Sequence, residues 1–175
     1  MPTITVFKTN QEINKDIVME KLKEKNIMSK ISKYNNKEIY IIYHYKIDIE
    51  KVFNDLDYVN AENIISILKQ NGIEKITKKI YAFLNYETKT LEIYNGKKGI
   101  IEEILKVFND IGLNFYPIEF ERKTFKPNIN FINSNSRYKI TVFGNKIKYN
   151  NRKLFKFLPR FEIRQIVNQL LQNGG

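Results

Sequence analysis

Cysteine and tryptophan are absent from this chain, only one histidine is present, and alanine, glycine and proline are scarce. Without cysteine there is no disulfide and no thiolate metal site, which favours an intracellular compartment. With a single histidine, His44, and no cysteine, a metal site built on two histidines or a zinc cluster cannot be assembled from this chain. No apolar run is long enough to span a bilayer, so we expect a soluble protein without a membrane span.

The residues that are abundant are those of a folded, basic protein. The 175 residues include 42% hydrophobic and 13% aromatic side chains, enough for one domain or two small ones with a real core. Lysine, asparagine, isoleucine, tyrosine and phenylalanine are frequent, as is typical of A/T-rich genomes. Such codon usage raises the lysine content by itself, so the meaning of the positive charge depends on how it is distributed.

Positive charge is concentrated at one end of the chain, whose formal net charge is +11. Residues 1–121 hold 18 Lys, no Arg and 18 acids, whereas residues 122–175 hold 7 Lys and 5 Arg against Glu162 alone. Codon usage acts along the whole chain and does not segregate charge in this way. The last third is therefore predicted to form a basic surface for an acidic partner, with nucleic acid as the first choice.

Periodicity and turn signals predict an α+β fold, with a largely antiparallel sheet and helices packed on one face. Apolar runs predict strands over about Thr3–Phe7, Lys37–Tyr45, Ile76–Tyr86, Thr90–Tyr94 and Leu113–Lys123. Capping residues and helical spacing predict helices over about 11–25 after Asn10, 49–55 after Asp48, between Asn60 and Gly72, over 99–111 and over 159–173. His44, inside the second strand, is interpreted as a partly buried sheet residue.

Two short internal echoes are the pattern that two related α/β lobes would leave, and biased composition produces short identities of this kind without duplication as well. KEIYIIYHYK at residues 37–46 resembles KKIYAFLNYE at residues 78–87, and KVFND occurs at residues 51–55 and again at 106–110. The two offsets differ by the length of an extra strand in the later copy. We therefore predict an N-terminal lobe over residues 1–73 and a C-terminal lobe over residues 74–175.

The stretch TVFGNKIKY predicts a β-hairpin with the two-residue loop Gly144-Asn145, because glycine supplies the positive φ that such a loop needs. This loop pairs Phe143 with Lys146 and fixes the register of the whole hairpin. Side chains alternate between the two faces of a strand, so one face is apolar and the other is basic. The apolar face carries Tyr138, Ile140, Val142, Ile147 and Tyr149. The basic face carries Arg137, Lys139, Thr141, Phe143, Lys146 and Lys148, with Arg152 if the strand continues.

The cations of the basic face repel one another, and no acid in the hairpin offsets this repulsion. Binding to the phosphates of a nucleic acid would offset it, which explains why such a face is present. Phe143 is predicted to stack on a base or to wedge into a groove. The predicted nucleic-acid-binding residues are Arg137, Lys139, Phe143, Lys146, Lys148, Arg152, and Arg160 and Arg164 of the C-terminal helix. The alternative is a solvated edge hairpin whose lysines prevent edge-to-edge aggregation, with Phe143 tucked under a loop.

Two smaller patterns keep other sites open. In PIEFERK, two-residue alternation places Glu119, Glu121 and Lys123 on one strand face, with Asp110 ahead of them at a helix end. A carboxylate followed by E-x-K resembles the PD-(D/E)xK nucleases, and the resemblance implies a Mg²⁺ site at Asp110 and Glu121 with Lys123 positioning the water. Cross-strand charge pairing explains the same residues without chemistry. In NGKKG, two lysines at a helix N-terminus form a minor anion site or a solvated turn.

The sequence thus predicts, first, a non-enzymatic nucleic-acid-binding protein without a cofactor or metal. The second hypothesis is a protein-interaction or assembly module that docks on an acidic partner or self-associates. The metal-dependent nuclease is third. A virus, plasmid or other A/T-rich genome would suit all three functions. Neither a preference for DNA over RNA nor sequence specificity follows from the residues.

Overall fold

The computed structural model describes residues 3–54, 61–125 and 140–149, which form a nine-stranded sheet and four helices. The strands are β1 (Thr3–Lys8), β2 (Met28–Ile31), β3 (Glu38–Asp48), β4 (Lys75–Asn85), β5 (Thr90–Tyr94), β6 (Tyr116–Pro117), β7 (Phe120–Phe125), β8 (Ile140–Gly144) and β9 (Lys146–Tyr149). The helices are α1 (Lys15–Glu24), α2 (Ile49–Asn54), α3 (Ala61–Gln70) and α4 (Lys98–Asp110). Within these residues the strand pairings are antiparallel, which confirms the predicted α+β class.

The strands follow the order β2-β3-β4-β5-β1-β9-β8-β7, and β6 pairs with β1 beside this path. β1, from the start of the chain, lies between β5 and β9. Strands from residues 1–73 and from residues 74–175 therefore lie side by side in one sheet. The division into two lobes at residue 73 stays a prediction.

One face of the sheet is covered by α1 and α4. Their apolar residues join alternate residues of β3, β4 and β5, and Phe7 of β1, in one buried cluster, which includes Val18, Leu22, Ile41, Ala82, Ile93, Ile104 and Phe108. Each large apolar side chain buried in this way contributes roughly 1.5–3 kcal/mol. The packing confirms the predicted placement of helices on one face.

The opposite face of the sheet is also apolar at its centre. Ile4, Val6, Ile140 and Ile147 are fully buried there. These residues alternate along their strands with residues of the helix-covered face, as the pleat requires. Because both faces are buried, the central strands read as almost continuous apolar runs in the sequence.

The first helix begins later than predicted. Asn14 caps α1, and its side-chain oxygen accepts hydrogen bonds from the backbone N–H of Asp16 and Ile17 at 3.1 and 3.2 Å. Asn10 instead accepts a hydrogen bond from the Tyr116 hydroxyl at 2.9 Å. The predicted cap at Asn10 is therefore wrong, because its side chain is engaged in a tertiary contact rather than a helical turn.

The predicted strand over residues 113–123 is also wrong, since two short strands with different partners replace it. β6 pairs with β1 at Phe7 and Lys8, whereas β7 pairs with β8. Pro117, the last residue of β6, has no N–H for a ladder bond, which favours a break at this position. One strand was not predicted: β2, whose four residues pair with Ile39–Ile42 of β3.

His44 is exposed rather than partly buried, because β2 ends opposite Ile42 and leaves the following part of β3 uncovered on that side. The other predicted strands and the helices near residues 49–55, 61–71 and 99–111 are present within a few residues of their expected bounds. The predicted C-terminal helix lies outside the described residues. Within the described part of the chain, no helix is long and apolar enough to cross a membrane.

Candidate nucleic-acid interface

The predicted hairpin is present with its predicted register. Gly144 has a φ of +57°, which suits glycine, and Phe143 pairs with Lys146 across the turn. Val142 pairs with Ile147, and Ile140 pairs with Tyr149. Of the predicted apolar face, Ile140, Val142 and Ile147 are buried, as expected. The side chain of Tyr149 and the whole of Tyr138 lie outside what the structure describes.

The hairpin lies inside the sheet and not at its edge. β9 pairs with β1, which places Lys148 opposite Thr3 and Lys146 opposite Thr5. β8 pairs on its other side with β7. The alternative of a solvated edge hairpin is therefore wrong, and the lysines of β9 are not explained by protection of an exposed strand edge.

The polar side of the hairpin combines two lysines with a row of threonines. Lys146 is exposed and Lys148 is half-buried, and both share a face with Thr141, since partners directly opposite each other point to the same side. The Thr124 and Thr141 hydroxyls lie 3.2 Å apart across β7 and β8. We call this surface the basic hairpin face and define it by Arg122, Thr141, Phe143, Lys146 and Lys148.

A β-bulge brings Arg122 into this surface. Phe120 pairs with Gly144 and Lys123 pairs with Val142, so two residues of β7, Glu121 and Arg122, oppose the single residue Phe143. Such bulges redirect side chains. The carbon at the centre of the Arg122 guanidinium lies 5.5 Å from the centre of the Phe143 ring, within the range of a cation–π contact.

Phe143 is the most exposed large hydrophobic residue among the described residues, with 58% of its surface accessible. It is not tucked under a neighbouring loop, as the edge-hairpin alternative required. A cation that rests against an open aromatic ring leaves ring surface for a second planar group. Nucleobases are such groups, and stacking on an aromatic side chain contributes roughly 1–3 kcal/mol per base.

The cations of the basic hairpin face have no carboxylate partner within the described ranges. The salt bridges found there involve Lys25, Lys37, Lys69, Lys89 and Lys98. The nearest acids along the chain, Glu119 and Glu121, are exposed beside Arg122. These two acids reduce the positive charge around Arg122 on the β7 side. The β9 side, which carries Lys146 and Lys148, is therefore the more positive part of the surface.

The structure brings together three of the predicted binding residues, Phe143, Lys146 and Lys148. The others lie outside the described residues: Arg137, Lys139, Arg152, Arg160 and Arg164. Sequence reasoning missed Arg122. Its signal was its position as the first arginine of the chain, but the bulge that directs it toward Phe143 has no marker in the sequence.

The residues of the predicted metal site take other positions. Asp110 forms a 3.7 Å ion pair with Lys25 at the end of α4. Glu119 precedes β7, and the bulge breaks the two-residue alternation before Lys123, so the predicted sharing of one strand face by Glu119, Glu121 and Lys123 is wrong. Within the described residues, no group of three or more His, Cys, Asp or Glu side chains has an arrangement that could hold a metal ion.

The lysines of the NGKKG turn lie near the same end of the sheet. The Asn95 N–H donates to the Thr3 carbonyl at 2.8 Å, and Thr3 is the strand partner of Lys148. Lys97 and Lys98 follow at the exposed start of α4, whose first turn holds no acid. They add positive charge at this end of the sheet, but a helix N-terminus alone does not define a site.

No family model and no curated protein matches this chain.

Proposed function

We propose that this protein is a non-enzymatic nucleic-acid-binding protein that contacts its ligand with the basic hairpin face. Lys146 and Lys148 contact phosphates, and the ring of Phe143, backed by Arg122, stacks on a base or wedges between bases. The observation that supports this best is the exposure of Phe143 against Arg122, on a hairpin that pairs with a further strand on each side. Pairing of β9 with β1 and of β8 with β7 holds the backbone of this surface in place before binding, which reduces the entropy lost on binding.

The concentration of charge supports the same proposal. Residues 122–175 carry 12 cations and one acid. Neutralising phosphates with such cations releases condensed counterions and gives binding that weakens steeply with salt. The proposal extends to Arg137, Lys139, Arg152, Arg160 and Arg164 through their sequence positions alone.

Fluorescence anisotropy with labelled single-stranded DNA, duplex DNA and RNA, each at several salt concentrations, tests the proposal. We expect binding that weakens as salt rises, and its loss in the charge-reversal variant Lys146→Glu/Lys148→Glu. The matched control is Lys23→Glu/Lys33→Glu, which reverses two exposed lysines away from the hairpin. Equal weakening by both variants would assign the effect to net charge alone, and no binding by the parent at low salt would contradict the proposal.

A specific observation favours assembly as the second candidate function. Helix α3 has no buried residue, and Ile64 and Ile67 on it are 38% and 57% exposed. An apolar patch of this kind is found at protein–protein contacts. Light scattering over a range of concentrations tests it: self-association that Ile67→Asp removes would support assembly, and a monomer at every concentration would contradict self-association.

A further inference from the structure

The long strands β3 and β4 continue beyond the rest of the sheet. β2 pairs with β3 only as far as Ile42, and β5 pairs with β4 only from Ala82 onward. Residues 43–48 and 75–80 pair with each other alone within the described part of the chain, and α2 and α3 follow at their far end. We call these twelve residues the ribbon.

One face of the ribbon is basic. The register pairs His44 with Lys79, Lys46 with Thr77 and Asp48 with Lys75, so these six side chains share a face. All six are exposed, and they comprise three lysines against one carboxylate. The salt bridges among the described residues include none of the three lysines.

This basic face borders a cleft with a volume of about 960 Å³. His44, Lys46, Lys75 and Thr77 of the ribbon line this cleft, together with residues from the end of α1 and the middle of α4 that include Lys25 and Glu103. Tyr43, which packs toward these helices, lines it as well, so the cleft reaches around the edge of β3 that β2 leaves uncovered. We call this space the ribbon cleft. It brings cations from three separate parts of the chain to one place.

Two of the acids around the cleft are already engaged. Asp110 forms its ion pair with Lys25, and Glu103 accepts a hydrogen bond from the Tyr43 hydroxyl. Burial, and then this bond, raise the pKa of Tyr43 far above its ordinary value, so the phenol stays protonated and keeps Glu103 in place. Asp48 lies directly opposite Lys75 and offsets part of its charge, whereas Lys46 lies opposite Thr77 and takes part in no salt bridge among the described residues.

We propose that the ribbon cleft binds a phosphate group. Lys46 and Lys75 contact its oxygens, and Thr77 and His44 lie beside them as hydrogen-bonding groups. The phosphate belongs either to a nucleic-acid backbone or to a free nucleotide. The nucleic-acid source rests on the proposed function, with the ribbon as a second contact beside the basic hairpin face, whereas the free-nucleotide source does not.

The variant Lys46→Gln/Lys75→Gln tests the proposal by isothermal titration with ADP and by anisotropy with the tightest-binding labelled oligonucleotide. The control is Lys78→Gln/Lys51→Gln, which removes one lysine from the other ribbon face and one from α2. We expect the cleft variant to weaken at least one of the two ligands about tenfold, as expected for the loss of charge-assisted hydrogen bonds, and the control to leave both unchanged. Loss of oligonucleotide affinity identifies the nucleic-acid source; loss confined to ADP identifies the free nucleotide.

Glu103→Gln gives a second readout with a defined sign. It keeps an acceptor for Tyr43 but removes the negative charge, so a phosphate site binds several-fold more tightly, whereas a cation site would bind phosphate no better. Equal binding of both ligands by Lys46→Gln/Lys75→Gln and the parent overturns the cleft proposal and leaves the hairpin proposal standing. Binding of ADP by a parent protein that binds no oligonucleotide overturns the hairpin proposal and leaves the cleft proposal standing.

Discussion

The β8–β9 hairpin and the ribbon are both antiparallel pairs with lysines on one face, but the sheet holds them in different ways. The hairpin lies between β1 and β7, and its apolar face is buried. The ribbon is covered by no neighbouring strand of the described residues, and most of its residues are exposed. The two pairs of strands carry similar charge, but only the hairpin is enclosed by neighbouring strands. We therefore expect a replacement in the hairpin to change the free energy of unfolding more than a comparable replacement in the ribbon.

The two regions also differ in how their charge appears in the sequence. The hairpin belongs to residues 122–175, which hold a single acid. The ribbon belongs to residues 1–121, where cations and acids are equal in number. That equality conceals a separation in space, because the basic face of the ribbon holds three lysines and only one acid, Asp48, and the acids that balance the other two lie elsewhere. A neutral stretch of sequence can therefore carry a basic surface.

The largest difference is expected in stability. Ile147→Ala removes a fully buried side chain from the hairpin and should lower the free energy of unfolding by roughly 2–5 kcal/mol. Ile76→Ala removes a side chain of the ribbon that is 36% exposed, and we expect a loss of about 1 kcal/mol or less. Urea unfolding of both variants measures the difference. Equal losses would contradict the assignment of the hairpin to the interior and the ribbon to the exterior.

A pH-dependent change in the free energy of unfolding, of a size comparable to that of Ile147→Ala, is expected at the start of β3. There β3 lies between β2 and β4. Burial raises the pKa of Glu38 to about 7 from its ordinary 4.5. Because the pKa of Glu38 is higher in the folded state than in the unfolded state, its protonated side chain stabilises the fold fully below pH 4.5. This stabilisation is lost as the pH rises to about 7. The loss amounts to about 3 kcal/mol.

Glu38→Gln checks this expectation, because it keeps the size of the side chain and removes its titration. The difference in free energy of unfolding between variant and parent should favour the variant increasingly from pH 4.5 to 7 and then remain constant. A parallel pH profile for Glu38→Gln and the parent would show that Glu38 is not buried as a carboxyl group.

A smaller effect, on binding alone, is expected at Phe143. Because the ring is exposed, Phe143→Ala should leave the free energy of unfolding within about 0.5 kcal/mol of the parent. It should weaken nucleic-acid binding by roughly 1–3 kcal/mol through the loss of stacking. Phe143→Tyr keeps the ring and serves as the control in the same anisotropy assay. Equal affinity of Phe143→Ala and the parent would remove Phe143 from the interface.

Local rules were sufficient for the hairpin and insufficient for the surfaces around it. The turn chemistry of Gly144-Asn145 determines the register between Phe143 and Lys146, so this part of the candidate site could be predicted from neighbouring residues alone. The order of strands depends on contacts distant in sequence, such as β1 with β9, which no local pattern specifies. The same limit explains why the bulge at Arg122 and the gathering of Lys46 and Lys75 at one cleft were missed.

The central claim, phosphate contact by the basic hairpin face, is tested most directly by the salt dependence of binding. Lys146→Gln/Lys148→Gln removes two cations without adding negative charge, and anisotropy gives the slope of the logarithm of affinity against the logarithm of salt concentration. We predict a slope shallower than that of the parent by about 0.7–0.9 for each lysine. An unchanged slope, or a parent protein that binds no nucleic acid at low salt, would contradict the claim.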